Sequence, residues 1–343
     1  MPLDDGKTDM TALIYPERAP SGIAMQELDF KDIDQQAACL TGYDQKYQQM
    51  SCGHYQGWFR TILLGDNLGL FFETFNQSLD QWGASPSDRY SFIFFMAPSN
   101  RAMLGNHELC GHQILFLPPG RSFDFQAPPR TRFCVVSVDR LVFGAALQHN
   151  IASDRQRNMI KQSTLILKNP DALMLLRQLI SYAVTQITSQ KPVAYSSNTI
   201  TGVKRSLVEL LAGFVADHKV NAQNSPKTAV RPSAFLAGQI REFIRAQNSS
   251  DIIPEAIAQE FRISRRHLEH LFRTHFNQSP ARYIRTIKLN EFRSALIQSA
   301  NLNHSIGDIA AQFGFWHLSR LGEYYRRQFG ELPSATRMRL RKS

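Results

Sequence analysis

The feature of the sequence that most restricts the fold is a unit of about 52 residues that occurs twice near the C-terminal end. The positions that the two copies share are apolar or proline: Ile257, Ala258, Phe261, Ile263, Leu268, Phe272, Phe276 and Pro280 in the first copy, and Ile309, Ala310, Phe313, Phe315, Leu321, Tyr325, Phe329 and Pro333 in the second. In each copy these residues fall on one face of two short helical segments that a corner separates. The repeat predicts a tandem helix-turn-helix.

Local signals in the first copy agree with this prediction. Pro254 suits the first turn of a short helix, where its missing N–H would have no partner. Ser264 is a good N-cap for a second helix that runs to Phe276. Between the copies, residues 280–298 are predicted to form one long helix, which would act as a rigid spacer between the two units.

Several motifs in this region carry a resemblance to a known family. They are Ile-Ser-Arg-Arg-His-Leu at 263–268, Gln-Ser-Pro-Ala-Arg-Tyr-Ile at 278–284, Gly-Phe at 314–315 and Phe-Gly-Glu-Leu-Pro-Ser at 329–334. With the tandem arrangement, residues 235–339 resemble the DNA-binding domain of the AraC-family transcription regulators. Two positions depart from the family pattern: Phe261-Arg262 and Asn277 stand where glycine is usual, although Asn tolerates the left-handed conformation that a helix end requires.

The resemblance implies a transcription regulator, either an activator or a repressor, that binds double-stranded promoter DNA; for an activator, RNA polymerase would be a further partner. The family pattern places six side chains at base-facing positions: Arg266, Glu269, His270, Ser319, Arg320 and Glu323. Phosphate contacts are expected from Arg265, Arg273, Arg285, Arg326 and Arg327. Other basic residues of the region are interpreted either as backbone contacts or as a solvated face: Arg241, Arg245, Arg282, Lys288 and Arg293.

The distribution of charge supports binding to nucleic acid. From Phe235 onward the chain has 17 Lys and Arg against 9 Asp and Glu, an excess of eight within a formal net charge of +10. A basic excess confined to one third of the chain fits a surface that follows phosphates and releases counterions.

Length and composition indicate a folded, soluble protein. A chain of 343 residues with 43% hydrophobic residues is expected to form two domains. No apolar run approaches the length of a membrane span and the first residues are acidic, so we expect a cytoplasmic protein. The four cysteines, Cys39, Cys52, Cys110 and Cys134, form no Cys-x-x-Cys pair, and no disulfide framework, metal or cofactor is expected.

The region up to residue 165 is predicted to be rich in β-strands. The clearest strands are short runs of β-branched and aromatic residues at 59–64, 68–75, 90–96, 113–117 and 133–138. Residues 115–125 look like a late strand and turn of a cupin-like barrel, which AraC-family regulators often carry as an effector sensor. The expected fold class is α+β, with an N-terminal cupin-like antiparallel β-barrel and a helical hairpin, followed by an all-α tandem helix-turn-helix domain.

A metal-dependent cupin enzyme would need histidines and a carboxylate on neighbouring strands. The nearest approach to such a cluster is His107, Glu108 and His112, whose spacing does not put both histidines on one face of a strand. The sequence therefore disfavours a cupin-type enzyme fused to a DNA-binding module.

A small-molecule effector is expected inside the N-terminal barrel, oriented by Glu73 or Arg121 against aromatic walls that include Trp82 or Phe92. For the aromatic residues the alternative is ordinary core packing, and for Glu73 it is a solvent-facing position produced by strand alternation. Residues 53–76 and 314–318 also faintly resemble the ethanolamine-utilisation branch of the family, which supports a sensor more than it supports any ligand.

The remaining segments connect the two parts. Residues 166–220 contain two amphipathic stripes, Leu173, Leu176, Ile180, Ala183 and Ile187, and Val203, Leu207, Leu210 and Phe214. One of them would pack on the barrel, and the other would either form a homodimer or close on the same domain. Residues 221–233 are predicted to be the linker and residues 234–343 the DNA-binding domain. The alternative is a regulator without an effector, whose N-terminal domain only oligomerises or binds a protein partner.

Overall fold

The computed structural model describes residues 23–40, 42–97, 101–105, 107–188, 197–222, 232–247, 252–298 and 304–340. The strands among them are β1 (Ile23–Phe30), β2 (Asp44–Gln49), β3 (Gly57–Leu64), β4 (Leu68–Phe75), β5 (Leu79–Ala84), β6 (Arg89–Phe95), β7 (Arg101–Leu104), β8 (His107–Cys110), β9 (Gln113–Leu117), β10 (Ser122–Ala127), β11 (Thr131–Asp139) and β12 (Leu165–Lys168). The predicted strands correspond to β3, β4, β6, β9 and β11, and are confirmed.

The strands form two antiparallel sheets. The larger has the order β1-β3-β4-β11-β6-β9-β12 and the smaller the order β2-β5-β10-β7-β8. Between the sheets lies an aromatic core that includes Phe59, Phe75, Phe95, Phe125 and Phe133. Because the larger sheet is also covered on its outer face, by helices, its strands bury side chains on both faces.

The helices of this N-terminal domain are α1 (Ile33–Ala37), α2 (Arg140–Asn150), α3 (Asp154–Gln162), α4 (Pro170–Thr188) and α5 (Ser197–Ala222). The sequence does not predict the first three. Asp139 caps α2, accepting hydrogen bonds from the backbone N–H groups of Leu141 at 2.9 Å and Val142 at 3.1 Å.

The apolar stripes of α4 and α5 both contribute to the core on the outer face of the larger sheet. Leu176 and Ile180 of α4 and Leu207 of α5 are fully buried there. Of the two alternatives for the second stripe, this packing matches closure on the same domain, and a homodimer stays a prediction. A different face of α4 exposes Met174, Leu175 and Tyr182.

The C-terminal domain is helical, as predicted. Its elements are α6 (Pro232–Ala246), α7 (Pro254–Glu260), α8 (Arg265–Phe276), α9 (Pro280–Ile297), α10 (Ile306–Gln312), α11 (Leu318–Phe329) and α12 (Pro333–Leu340). Ser264 caps α8 by accepting from the backbone N–H of His267 at 3.1 Å, and Asn277 ends that helix with φ 52°. Helices α7–α8 and α10–α11 are the two helix-turn-helix units, and α9 joins them.

The predicted linker lies mostly outside the described residues, since α5 ends at Ala222 and α6 begins at Pro232. None of the described helices combines the length and the hydropathy that a bilayer span requires.

Candidate nucleic-acid interface

The two outer helices of the repeat are held on opposite halves of α9. Leu268 and Phe272 of α8 pack in one core cluster with Ile284 of α9. Leu321 and Tyr325 of α11 pack in another cluster, with residues from the second half of α9 that include Phe292. Because both helices bury their apolar faces against one continuous helix, their separation and relative orientation are fixed.

The opposite faces of these two helices carry the residues that the family pattern assigns to DNA bases. On α8, Arg266 and His270 are exposed and Glu269 is half-buried. On α11, Ser319, Arg320 and Glu323 are exposed. All six lie on the side of their helix that faces away from α9, and their roles toward DNA remain predictions.

The phosphate candidates on α8 and α9 make contacts within the domain. Arg265 pairs with Glu255 at 2.9 Å, and Arg273 lies 3.9 Å from Glu269. Exposed pairs of this kind contribute little to stability, so they leave both guanidinium groups available to a phosphate. Arg285 stacks over the ring of Tyr324, with 4.3 Å from its guanidinium carbon to the ring centre, which links α9 to α11.

The remaining phosphate candidates, Arg326 and Arg327, are exposed on α11. Both extend from its last turns, where cations also interact favourably with the C-terminal end of the helix dipole. They add positive charge to the same helix that carries Ser319, Arg320 and Glu323.

Three basic residues that were interpreted as backbone contacts or as a solvated face instead bind the N-terminal domain. Arg293 of α9 pairs with Asp32 and Asp34 at the start of α1, each at 2.5 Å. Its side chain is only 5% exposed, so this ion pair lies inside the domain interface. The expectation that Arg293 contacts DNA or solvent is therefore wrong. Its carboxylate partners lie more than 250 residues away in the sequence, so the local sequence does not indicate them.

Arg241 and Arg245 of α6 make the second group of ion pairs. Arg241 pairs with Asp124 of β10, and Arg245 pairs with Asp124 at 3.0 Å and with Asp80 of β5 at 3.3 Å. The guanidinium of Arg245 also stacks over Trp82, 4.2 Å from the ring centre. Burial alone would lower the pKa of Arg245, but the carboxylates of Asp80 and Asp124 outweigh it and raise that pKa.

A third group of contacts joins the domains at the end of β2. The residues that follow this strand lie between α9 and the end of α11. The side chain of Gln328 donates to the backbone oxygen of Gln49 at 2.8 Å, and its own backbone oxygen accepts from the N–H of Gly53 at 3.0 Å. Gly330, with φ 80°, lies so close to His54 that an added Cβ would be 2.6 Å from its imidazole ring. A side chain at position 330 would therefore force the imidazole ring of His54 to move, in addition to the strain of a positive φ.

Glu73 is buried in the core between the sheets, so the solvent-facing alternative is wrong. Its carboxylate accepts hydrogen bonds from the side-chain amide of Gln36 at 2.8 Å and from the hydroxyl of Tyr47 at 3.1 Å. Burial raises the pKa of Glu73 to about 7, against the lowering effect of these two hydrogen bonds. Burial, and then the carboxylate of Glu73, raise the pKa of Tyr47 well above its usual value, so the hydroxyl keeps its proton.

The other effector candidates do not surround Glu73. Phe92 lies on the opposite face of the larger sheet, packed against Phe116 and Phe143 with ring centres 5.1 and 5.2 Å away. Trp82 lies beneath Arg245 at the domain interface, and Arg121 is exposed. Glu73 and Phe92 therefore do not line one pocket. An effector oriented by Glu73 or Arg121 against Trp82 or Phe92 stays a prediction.

The free space in the molecule lies between the domains more than inside the sheets. The cavity beside Glu73 measures about 20 Å³, which is room for about one water. A cleft of about 690 Å³ separates α1, β2 and β5 from α9 and α10. Its lining includes Lys46, Gln48, Trp82, Glu291, Ser294 and Phe313.

His107, Glu108 and His112 do not form a metal site. His107 and His112 are exposed, and Glu108 pairs with Arg101 at 3.2 Å. Across the described part of the chain, no three His, Cys, Asp or Glu residues are grouped in a way that could hold a metal ion.

Comparisons with known proteins match the helical repeat. Residues 257–339 fit the family model described as a helix-turn-helix domain. The XylDLEGF operon transcriptional activator of Pseudomonas putida is 38% identical over 149 residues, which cover 37% of this chain and 46% of that protein. The regulatory protein HrpB of Ralstonia nicotianae is 31% identical over 117 residues, covering 34% of this chain and 24% of that protein.

Among solved structures, the AraC-like transcriptional activator CuxR is 14% identical and covers 85% of this chain and 92% of its own, with a TM-score of 0.37. The chain spans less than half the length of the Pseudomonas activator that it matches. The matched segment contains both helix-turn-helix units and the helix that joins them. The repeat and the sequence matches show that residues 257–339 form a helix-turn-helix domain of the AraC type.

Proposed function

We propose that the protein is a transcription regulator that binds specific sequences in double-stranded promoter DNA. The observation that carries this proposal is the pair of helices α8 and α11, fixed on α9 with polar and basic residues on their free faces. A helix of this kind enters the major groove with its N-terminal residues against the base edges. The two helices would occupy successive major-groove segments on one face of the duplex, about 34 Å apart.

The test of this function is selection of duplexes from a random library by the full chain, followed by fluorescence anisotropy on the selected duplex and on a scrambled one. Phosphate contacts predict that log K falls steeply with log salt concentration. A protein that selects no sequence, or whose affinity is flat between low and high salt, would not be a DNA-binding regulator of this type.

We also propose that the N-terminal domain controls the C-terminal domain through the contacts between them. Helix α1 and strand β2 both contact Glu73, and both also contact the C-terminal domain. Helix α1 provides Gln36 to Glu73 and Asp32 to Arg293. Strand β2 provides Tyr47 to Glu73 and ends at Gln49, which contacts α9 and α11. A change around Glu73 would therefore reach α11 through hydrogen bonds and ion pairs.

The interdomain cleft is the better supported effector site, since ligand pockets commonly lie at domain interfaces and measure several hundred cubic ångströms. Gln48 is 7% exposed, and its side-chain oxygen has no hydrogen-bond partner within the part of the chain that the structure describes. A small polar molecule with a donor for Gln48 and a planar part for Trp82 or Phe313 would suit this lining.

A thermal-shift screen of metabolites on the full chain tests this effector. A ligand at about 100 times its Kd would add roughly 2.7 kcal/mol to the stability of the folded state. Gln48→Leu keeps the volume, so it would abolish the shift without unfolding the protein. An equal shift in this variant would exclude the cleft as the site while leaving the sensor function.

The alternative of an effector-independent regulator also has an observation in its favour. The space beside Glu73 is too small for a metabolite, and α4 exposes Met174, Leu175 and Tyr182 on one face, which would suit a homodimer. Light scattering of the wild type and of Tyr182→Ser separates these functions: a dimer that the substitution dissociates, with no metabolite shift, would favour the oligomerising domain. RNA polymerase remains a proposed partner of either form.

A further inference from the structure

The turn before α11 exposes two large apolar side chains. Trp316 is 76% exposed and Leu318 is 53% exposed. Leu318 is the first residue of α11, directly before the base-reading candidates Ser319 and Arg320. The apolar surface therefore lies at the end of the helix that would enter the groove first.

The start of α11 lacks the side-chain cap that α8 has. In the first helix-turn-helix unit, Ser264 caps α8 through its side chain. In the second unit the N-cap position belongs to His317, which makes no side-chain hydrogen bond to the backbone of the helix. A missing cap costs about 0.5–2 kcal/mol, so the local sequence is a poor start for a helix.

Trp316 is not required by the core of the second unit. The ring contacts of this cluster are made by Phe292, Phe313, Phe315, Tyr325 and Phe329. The indole projects from the corner into solvent instead, although the burial of an aromatic side chain is strongly favourable. An exposed Trp and Leu side by side are therefore best explained by a surface that becomes covered in a complex.

DNA is the occupant that the surroundings favour. Arg320, Arg326 and Arg327 give the exposed face of α11 a positive charge that matches phosphates on both sides of a groove. An apolar side chain in the major groove has one matching group on the bases, the C5 methyl of thymine. We propose that Trp316 and Leu318 contact thymine methyl groups at the DNA segment that α11 reads.

This inference rests on the proposed DNA-binding function and adds a specificity to it. The first unit presents Arg266, Glu269 and His270, which would read hydrogen-bonding groups. The second unit presents an apolar edge next to Ser319 and Arg320. The two segments of the target sequence would then differ, with thymine preferred in the second.

The experiment begins with duplex selected from a random library by the wild-type chain. Each thymine of the segment assigned to α11 is replaced by deoxyuridine, which removes the methyl group and keeps every hydrogen bond of the base pair. We expect the affinity of the wild type to fall about fourfold for each contacted methyl, the factor that corresponds to about 0.8 kcal/mol per buried carbon group. Trp316→Ala should bind the thymine duplex more weakly and lose nothing further at the thymine that Trp316 contacts, while a thymine contacted by Leu318 keeps its response.

Two variants control for other effects. Phe235→Ala removes another aromatic side chain, 52% exposed on α6, and should keep the full response to deoxyuridine. Trp316→Phe should restore part of the lost affinity. Because Trp316 is mostly exposed, the thermal midpoint of Trp316→Ala should equal that of the wild type.

The outcomes separate this inference from the proposed function. Specific binding by the wild type with no response to deoxyuridine, or with the same response at every thymine in Trp316→Ala, would overturn the methyl contact alone. Normal DNA affinity in Trp316→Ala with loss of activation in a reconstituted transcription assay would assign the patch to RNA polymerase and overturn it too. Failure of the wild type to select any sequence would overturn the DNA-binding function itself.

Discussion

Gln49 and Asn290 exchange two hydrogen bonds across the domain interface, although 241 positions separate them in the sequence. The backbone N–H of Gln49 donates to the side-chain oxygen of Asn290 at 2.8 Å, and the side-chain amide of Asn290 donates to the backbone oxygen of Gln49 at 3.0 Å. Asn290 thus pairs with the end of β2 as a neighbouring strand would. The contact joins the central helix of the DNA-binding repeat to the strand that carries Tyr47.

Asn290→Ala would remove a hydrogen-bond partner from the backbone N–H and from the backbone oxygen of Gln49, both inside the interface. We expect a loss of about 1–3 kcal/mol in the free energy of unfolding, measured by urea denaturation. Asn76→Ala is the matched control, because Asn76 makes the same kind of pair with Gln56 and His54 at the surface, at 2.8 and 2.9 Å. An equal loss of unfolding free energy in both variants would show that the pair at the interface contributes no more to stability than the pair at the surface.

Arg293→Met would leave Asp32 and Asp34 without their cation in the interface. Breaking a buried ion pair by removing one partner costs about 3–5 kcal/mol, since the remaining charge stays desolvated. Arg327→Met removes an exposed cation and should change the unfolding midpoint little, while it weakens DNA binding. The expectation would be contradicted if Arg293→Met unfolds at the same urea concentration as the wild type.

Glu73 should make stability depend on pH below and around neutrality. Its pKa is about 7 in the folded protein against 4.5 without the fold, so the folded state binds the proton more tightly. This contribution is complete below pH 4.5 and is lost as the pH rises through 7. Glu73→Gln should flatten the dependence of the unfolding free energy in that window, by no more than about 3 kcal/mol.

Urea unfolding of the wild type and Glu73→Gln at pH 5, 6, 7 and 8 measures this effect. Glu27→Gln serves as the control for removal of a carboxylate, because Glu27 pairs with Arg60 at a partly exposed site. A profile in Glu73→Gln that runs parallel to that of the wild type would mean that Glu73 keeps its ordinary pKa in the fold.

The helical repeat could be predicted from the sequence because its signals are local. Ser264, Asn277 and Pro280 stand at helix ends whose chemistry depends on a few neighbouring residues. The apolar positions of both copies recur at helical spacing, so the buried faces of α8 and α11 could be assigned without knowledge of the rest of the chain.

The domain interface could not be predicted, because it depends on residues that are distant in the sequence. Nothing near Arg293 indicates Asp32, and a basic residue in a basic domain looks like a DNA contact. Glu73 was ambiguous for another reason: strand alternation indicates solvent only when one face of a sheet is free, and β4 is covered on both faces. The exposure of Trp316 and Leu318 also depends on the packing of α11 and does not follow from the sequence.

The most direct test of DNA recognition by the tandem repeat is the affinity of wild type, Arg266→Ala and Arg320→Ala for the selected and the scrambled duplex, each measured over a range of salt concentrations. We expect each substitution to cost about 1–3 kcal/mol on the selected duplex and almost nothing on the scrambled one, with log K of the wild type falling linearly with log salt concentration. Equal losses on both duplexes would reassign these arginines to phosphate contacts. A wild type that does not distinguish the two duplexes would contradict sequence-specific recognition by α8 and α11.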